Sequence, residues 1–173
     1  MSSKSAALAN VTLRPVTEND HEFLVEVYAT TRAEELALVP WPIEQQQAFV
    51  RAQFAAQQAH YAQKYPEASH DIIVVDGRQA GRLYVARLDQ EIRIVDITLL
   101  PAERRAGIGS HLIEQLLNEA KGSGKLTRIY VEEFNPSLRL FERLGFSVRE
   151  QQGFHLLLEW SPSNSREVKD SSD

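Results

Sequence analysis

Residues 91–117 read EIRIVDITLLPAERRAGIGSHLIEQLL, and their pattern changes twice. Ile92 and Ile94 alternate with polar neighbours as in a half-buried strand. The next apolar positions are Val95, Ile97 and Leu99, so the alternation slips by one residue between Ile94 and Val95. One extra residue in a strand is a β-bulge, which bends the strand and re-aims the main-chain groups beyond it. From Ile108 the period becomes helical: Ile108, Leu112, Ile113, Leu116, Leu117 and Ala120 share one face, and Ser110, His111, Glu114, Gln115, Asn118 and Glu119 the other. A strand, a turn and a core-facing helix in succession set the class of fold.

The turn between them is Arg104-Arg105-Ala106-Gly107-Ile108-Gly109-Ser110. Two glycines and an alanine leave little bulk at the helix start, where the first N–H groups have no partner within the helix and the dipole favours an anion. The lysine-bearing phosphate loop, GxxxxGK followed by Ser or Thr, is absent, and so is the GxGxxG dinucleotide fingerprint. What remains is Arg-x-x-Gly-x-Gly behind a bulged strand, a spacing that also suits an ordinary strand-to-helix connection.

The rest of the chain arranges itself around this unit. Residues 11–15 form a short strand, and 17–20 cap a helix over 21–37 whose inward stripe is Phe23, Leu24, Val27, Tyr28 and Thr31. Pro40 and Pro42 break it. A second helix covers 43–64, with Val50, Phe54, Tyr61 and Tyr65 as an aromatic and apolar row that reads first as core. Residues 70–75 and 81–88 are strands joined through Asp76-Gly77, a strong hairpin signal, and Asp89-Gln90 turns the chain into the bulged strand. The helix over 107–121 stops at Gly122-Ser123-Gly124. The strand over 126–132 should lie parallel to the bulged strand, because such crossovers are right-handed. Asn135 is expected to cap the next helix with Pro136 in its first position, and Gly145 to end it; 148–152 and 154–160 then close the sheet as a hairpin through Gly153. The order specifies a mixed α/β (α+β) fold.

Composition bounds the function independently. With 173 residues, 43% apolar and 25% charged, the chain suits one domain over residues 11–160, with polar, mobile ends at 1–10 and 161–173. A net charge of −5 excludes a generic nucleic-acid binder and favours cationic substrates. There is no cysteine, and the five histidines show no metal spacing, so no metal is expected. No segment reads as a signal peptide or a membrane span, so a cytoplasmic location without membrane contact is expected. A homodimer stays open.

Arg104, Gly107 and Gly109, behind Pro101 and the phase slip, match the pattern Q/R-x-x-G-x-G/A, and the segment resembles motif A of the GCN5-related N-acetyltransferase (GNAT) superfamily. Asn135-Pro136-Ser137-Leu138-Arg139-Leu140-Phe141-Glu142-Arg143-Leu144-Gly145-Phe146 resembles its motif B, and together the resemblance covers roughly residues 11–160. It implies a mostly antiparallel sheet with helices on both faces and a bulged central strand. It also implies acetyl-CoA as acyl donor and a small-molecule or peptide amine as acceptor. Ile97, Thr98 and Leu99 would hold the pantetheine arm and offer an N–H to the acyl oxygen. Arg104, Arg105, Ala106, Gly107, Ile108, Gly109 and Ser110 would cradle the pyrophosphate. Asn135 would reach the pantetheine and Phe141 would face the thiol. The first helix pair would form one wall of the acceptor cleft, which makes Glu34, Glu35 and Trp41 acceptor candidates.

Acyl transfer to an amine needs a base for the ammonium proton, a donor for the developing oxyanion and an acid for the thiolate. Two positions depart from the resembled pattern: a frequent tyrosine acid is Phe141, which cannot donate a proton, and a glutamate base of some members is Arg93. Asp96 and Glu132 stand as alternative bases, and Tyr84 and Tyr130 as hydroxyl donors. Each also has a structural reading. An acetyltransferase and a non-catalytic acyl-CoA-binding module on the same fold therefore both stay open at this point.

Overall fold

A computed structural model describes residues 10–163; the chain ends read above as mobile, 1–9 and 164–173, lie outside the described residues. Seven strands form one mixed sheet in the order β1-β2-β3-β4-β5-β7-β6. The described residues fall into two compact units, 10–84 with 97–106, and 85–96 with 107–163, so β3 and β4 each contribute to both.

In the first unit β1 (Val11–Pro15) runs antiparallel to β2 (Ser69–Val75), from Val11↔Val75 to Pro15↔Asp71. α1 (His21–Ala37) and α2 (Ile43–Lys64) have the extents that their sequence periods predict. Their core is Leu24, Val25, Tyr28, Leu36, Val50, Phe54 and Ile72, with Phe23, Trp41 and Phe49 packed against it. One expected position is corrected: Thr31 is exposed and its hydroxyl donates to the Tyr28 carbonyl at 2.6 Å. The apolar stripe resumes at Leu36, while the Thr31 hydroxyl finds its acceptor within its own helix. Asp76 and Gly77, with φ of 50° and 79°, make the left-handed pair of a two-residue hairpin leading into β3 (Arg78–Arg87).

α1 is entered through a lock built on Asp20, which is only 4% exposed. Arg14 donates to both of its carboxylate oxygens at 2.9 Å, the Thr17 main-chain N–H donates at 2.8 Å, and Gln79 Nε2 donates at 3.1 Å. A buried carboxylate with this many donors is stabilised in its charged form. The Arg14 hydrogen bonds, with help from Thr17, hold its pKa well below the usual carboxylate range.

In the second unit the first half of β4 (Glu91–Leu99) lies parallel to β5 (Leu126–Glu132), from Glu91↔Leu126 to Ile94↔Ile129. α3 (Ile108–Ser123) buries all six residues of its expected apolar face and stops at Gly124, whose φ of 67° is left-handed. β7 (His155–Trp160) pairs antiparallel with β5 and with β6 (Ser147–Gln152). The β6–β7 register shifts between Val148 and Glu150, a bulge with no signal in the sequence. Arg149, the residue at this shift, donates to Glu159 at 3.0 Å, while Arg128 donates to the other carboxylate oxygen at 2.8 Å. Glu159 is 7% exposed and doubly paired.

The last helix also differs from expectation. α4 is Leu138–Arg143, and it does not begin at Pro136. The Asn135 side-chain oxygen accepts from the Ser137 N–H at 2.9 Å and from its hydroxyl at 2.7 Å. That bond to a residue two places on closes an Asx turn, so Asn135 and Pro136 shape the approach and the helix starts after Ser137.

Removing the charge at position 20 tests the lock. Asp20→Asn should cost about 1–3 kcal/mol, because buried donors lose their acceptor. In the parent, the low pKa of folded Asp20 means that its contribution is present above the unfolded value of about 3.9. It is lost as pH falls through the folded pKa. Denaturant midpoints measured between neutral and acid pH should therefore converge for parent and variant at the acid end.

Candidate functional site

Along β4 the alternation of buried and half-buried positions holds through Ile94, and Val95, Asp96, Ile97, Thr98 and Leu99 are all half-buried. The parallel ladder with β5 runs to the same residue, Ile94, and the two strands continue beyond it, to Leu99 and Glu132. The phase slip in the sequence thus marks a change in what the strand does.

The first unit fixes the exit of β4 at several points. The Leu100 N–H donates to the Ala80 carbonyl at 2.8 Å, and Arg104 Nε donates to the Leu99 carbonyl at 3.0 Å. A single 3-10 turn, Pro101–Glu103, follows. Arg78 clasps Glu103 with contacts of 2.7 and 3.0 Å, and this hydrogen bonding lowers the carboxylate's pKa. Next comes Arg105, with φ of 65°; it and Asp76 are the non-glycine residues with positive φ among those described. Asp76 belongs to a hairpin that calls for that conformation. Arg105 has no such excuse, and left-handed backbone at a bulky residue costs on the order of 1–3 kcal/mol.

The second unit resumes at Gly107, left-handed at φ 81°, which is the N-cap of α3 and makes no side-chain capping bond. The His111 N–H donates to the Gly107 carbonyl at 3.0 Å, so the N–H groups of Ile108, Gly109 and Ser110 precede the first intrahelical bond. Ile108 anchors the start in the core at 2% exposure, while Gly109 and Ser110 are half-buried. Donors, dipole and absent side-chain bulk together suit an anion such as a phosphate.

Asn135 is exposed and lines a concave surface of about 440 Å³ with Glu133, Phe134, Pro136, Leu138 and Arg139. Phe134 and Phe154 stand 73% and 64% exposed, with ring centroids 5.5 Å apart. The sequence reading missed this pair. Their pairing depends on the Glu133 N–H donating to the Phe154 carbonyl at 2.7 Å, a contact between segments that no local pattern reveals.

The four acid–base candidates lie in different surroundings. In the first unit Tyr84 is buried, stacked on His70 at 4.4 Å and edge-on to Tyr61 at 5.5 Å, and burial raises its pKa. In the second unit Tyr130 is exposed beneath the Arg93 guanidinium, 5.2 Å from the ring, and Arg93 is itself held by Glu91 at 3.2 Å. Asp96 is half-buried on β4, and Glu132 is exposed at the end of β5. Of the acceptor candidates, all in the first unit, Glu34 and Glu35 are exposed, with Glu35 paired to Arg32 at 3.1 Å. Trp41 packs edge-on to Phe49 at 5.4 Å against the α1–α2 core. The flanking Leu38 and Ile43, also missed in the sequence, are exposed at 87% and 64%.

One expected cofactor contact is corrected. Phe141 is 1% exposed and its ring packs edge-on to Phe146 at 5.2 Å, so the side chain belongs to the core of the second unit and has no surface for a ligand. A helix of six residues has one inward face, and in α4 Phe141 is its buried residue. Among the described residues no cluster of metal-ligating side chains occurs.

Comparison with known proteins bears on the fold. The structure is similar to the PaiA N-acetyltransferase of Thermoplasma acidophilum in complex with coenzyme A, with TM-score 0.67 and 17% identity, covering 87% of this chain and 98% of that one. It is similar to Ard1 of Thermoplasma volcanium, with TM-score 0.58 and 17% identity over 88% and 97% of the two chains. A GNAT family acetyltransferase of Elizabethkingia anophelis with acetyl-CoA bound gives TM-score 0.55 and 12% identity over 88% and 99%. At these identities the likeness concerns the fold. No protein of curated function matches by sequence. The sequence profile of the acetyltransferase (GNAT) family matches residues 30–146, which include parts of both units, and the chain belongs to that family.

Proposed function

We propose that this chain moves an acetyl group from acetyl-CoA directly to the nitrogen of a primary amine carried by a small molecule or a peptide. The observation that carries the reading is the start of α3. It is a helix N-terminus without a side-chain cap, entered through left-handed Gly107 and strained Arg105, in the Arg104–Gly109 segment that resembles motif A and lies within the residues matched by the family. Strain retained at an exposed turn that no hairpin demands is the mark of a functional constraint.

Acetyl-CoA supplies a thioester whose acyl carbon is activated for attack and whose thiolate can leave. The chain's own residues bind and orient. In this reading the main-chain N–H groups from Arg105 to Ser110 take the pyrophosphate. Arg104 Nε is committed to the Leu99 carbonyl, so Arg104 helps mainly by holding β4. Ile97, Thr98 and Leu99 present main-chain groups to the pantetheine arm, and one N–H of this segment polarises the acyl oxygen. Asn135 contributes its side-chain amide, whose oxygen is already occupied by Ser137.

Proton transfer falls to Asp96 or Glu132 as base for the ammonium. Tyr84 or Tyr130 serves as the hydroxyl donor. Tyr84, whose raised pKa keeps it protonated, is suited to donating. The acceptor is read as cationic: the net charge is −5, Glu34 and Glu35 are exposed beside the Pro40-Trp41-Pro42 connection, and Trp41 offers a ring to an alkylammonium. With Phe141 in the core, much of the rate enhancement is left to positioning, which alone can supply several kcal/mol. Thiol release from acetyl-CoA across a panel of amines, amino acids and peptides tests the whole reading. Tight CoA binding with no turnover on any of them would instead identify a non-catalytic acyl-CoA-binding module.

Gly107→Val and Gly109→Val should each weaken CoA binding at least about tenfold, roughly 1.4 kcal/mol, by filling the turn and, at position 107, by penalising left-handed backbone. Calorimetry showing parent affinity in both would remove the phosphate cradle. Phe141→Tyr should lower stability by about 1–3 kcal/mol, since it buries a hydroxyl where a phenyl ring fits, and should leave kcat unchanged in the folded protein. A rise in kcat would return position 141 to the site.

A further inference from the structure

Gly81 stands in the middle of β3, where strands normally avoid glycine, and its φ lies outside the left-handed region, so no turn geometry accounts for it. Its neighbours Ala80 and Arg82 are buried, and the Arg82 guanidinium projects to α2, donating to Gln57 and Gln58 at 2.6 and 2.9 Å. Successive residues of a strand point to opposite faces, so a side chain at position 81 would point away from α2. That space is filled by main chain. A Cβ placed on Gly81 would fall directly onto the Thr98 carbonyl oxygen, 2.9 Å from the Leu99 Cα and 3.0 Å from the Thr98 carbonyl carbon. By contrast, a Cβ on Gly77, Gly122, Gly124 or Gly153 would meet open space.

We infer that Gly81 is a positioning residue for acetyl-CoA: the absent side chain lets the Thr98–Leu99 main chain lie where it can bind the pantetheine arm. The inference rests on the reading of Ile97–Leu99 as the pantetheine-binding segment. The atoms it concerns are backbone, which cannot rotate aside as a flexible side-chain end could. The Leu100 N–H is tied to the Ala80 carbonyl one residue away, and the Leu99 carbonyl to Arg104. With any side chain at 81, β4 must retreat by on the order of 1 Å to regain van der Waals separation, a displacement that costs about 100-fold where reacting groups must be aligned.

The test is Gly81→Ala in the full chain, with Gly122→Ala as the control for adding a methyl group in open space. The expected result is a folded protein in which CoA binding weakens about tenfold by calorimetry and kcat/KM for acetyl-CoA falls about 10- to 100-fold. KM for the amine, measured at saturating acetyl-CoA, should stay within about twofold of the parent, a split that general loss of structure would not produce. Amide resonances of Ile97, Thr98, Leu99 and Leu100 should shift in the variant, and Gly122→Ala should bind CoA like the parent. A Gly81→Ala protein that binds CoA with parent affinity overturns the inference. So does one that fails to fold, since the glycine would then serve the sheet itself. If Gly81→Ala is parent-like while Gly107→Val loses CoA, the reading of the site survives without this inference. If both bind like the parent, the reading of the site falls as well.

Discussion

Every main-chain N–H and C=O of a strand needs a partner, and the way β4 meets that requirement organises the protein. Up to Ile94 the strand is an ordinary member of a parallel ladder, with isoleucines alternating into the core. Beyond Ile94 the burial evens out, and at the strand's end the Leu100 N–H goes to Ala80 of β3, the Leu99 carbonyl receives Arg104, and the Thr98 carbonyl lies over Gly81 of β3. β3 stays beside β4 to its end, while the β4 main chain beyond Ile94 lies past the parallel ladder with β5. In the function proposed above, that main chain serves the acyl donor.

The groups with the clearest electrostatic perturbation are not those proposed for chemistry. Asp20 is held ionised by Arg14 and Thr17, and Glu103 by Arg78, each within the first unit. Arg128, paired with Glu159, does the same work in the second. All are ion pairs that tie an element in place, so perturbed titration here marks scaffolding, as buried ion-pair networks often do. Tyr84 is the exception, a proposed donor whose pKa is raised by burial among aromatic rings. With Phe141 committed to the core, such a residue is needed only if water cannot supply the proton.

A good part of the fold was legible because it is written in local pattern. The 3.6-residue period of α1, α2 and α3, the Asp-Gly hairpin and the glycine stop at Gly124 are short-range properties of the chain, and each element formed where its pattern lay. The phase slip at Ile94–Val95 pointed to the residue where the parallel ladder ends. Where the reading failed, a local pattern was overridden: Thr31 had the spacing for the core but the stripe returned at Leu36, and the Asx turn of Asn135 delayed α4 by two residues.

The sequence by itself determined the order of strands and helices, the phosphate-suited turn from Arg104 to Ser110 and the family motifs, because spacing along the chain dictates face, cap and turn. Only the tertiary structure decided that Phe141 lies in the core, that Phe134 and Phe154 share an exposed face and that Arg149 reaches Glu159 through a bulge. It alone decided that Gly81 lies against the Thr98–Leu99 main chain. These facts depend on which backbone atoms come together across long separations in sequence. A glycine, a phenylalanine or an arginine reads the same in the chain whichever neighbour the fold brings to it.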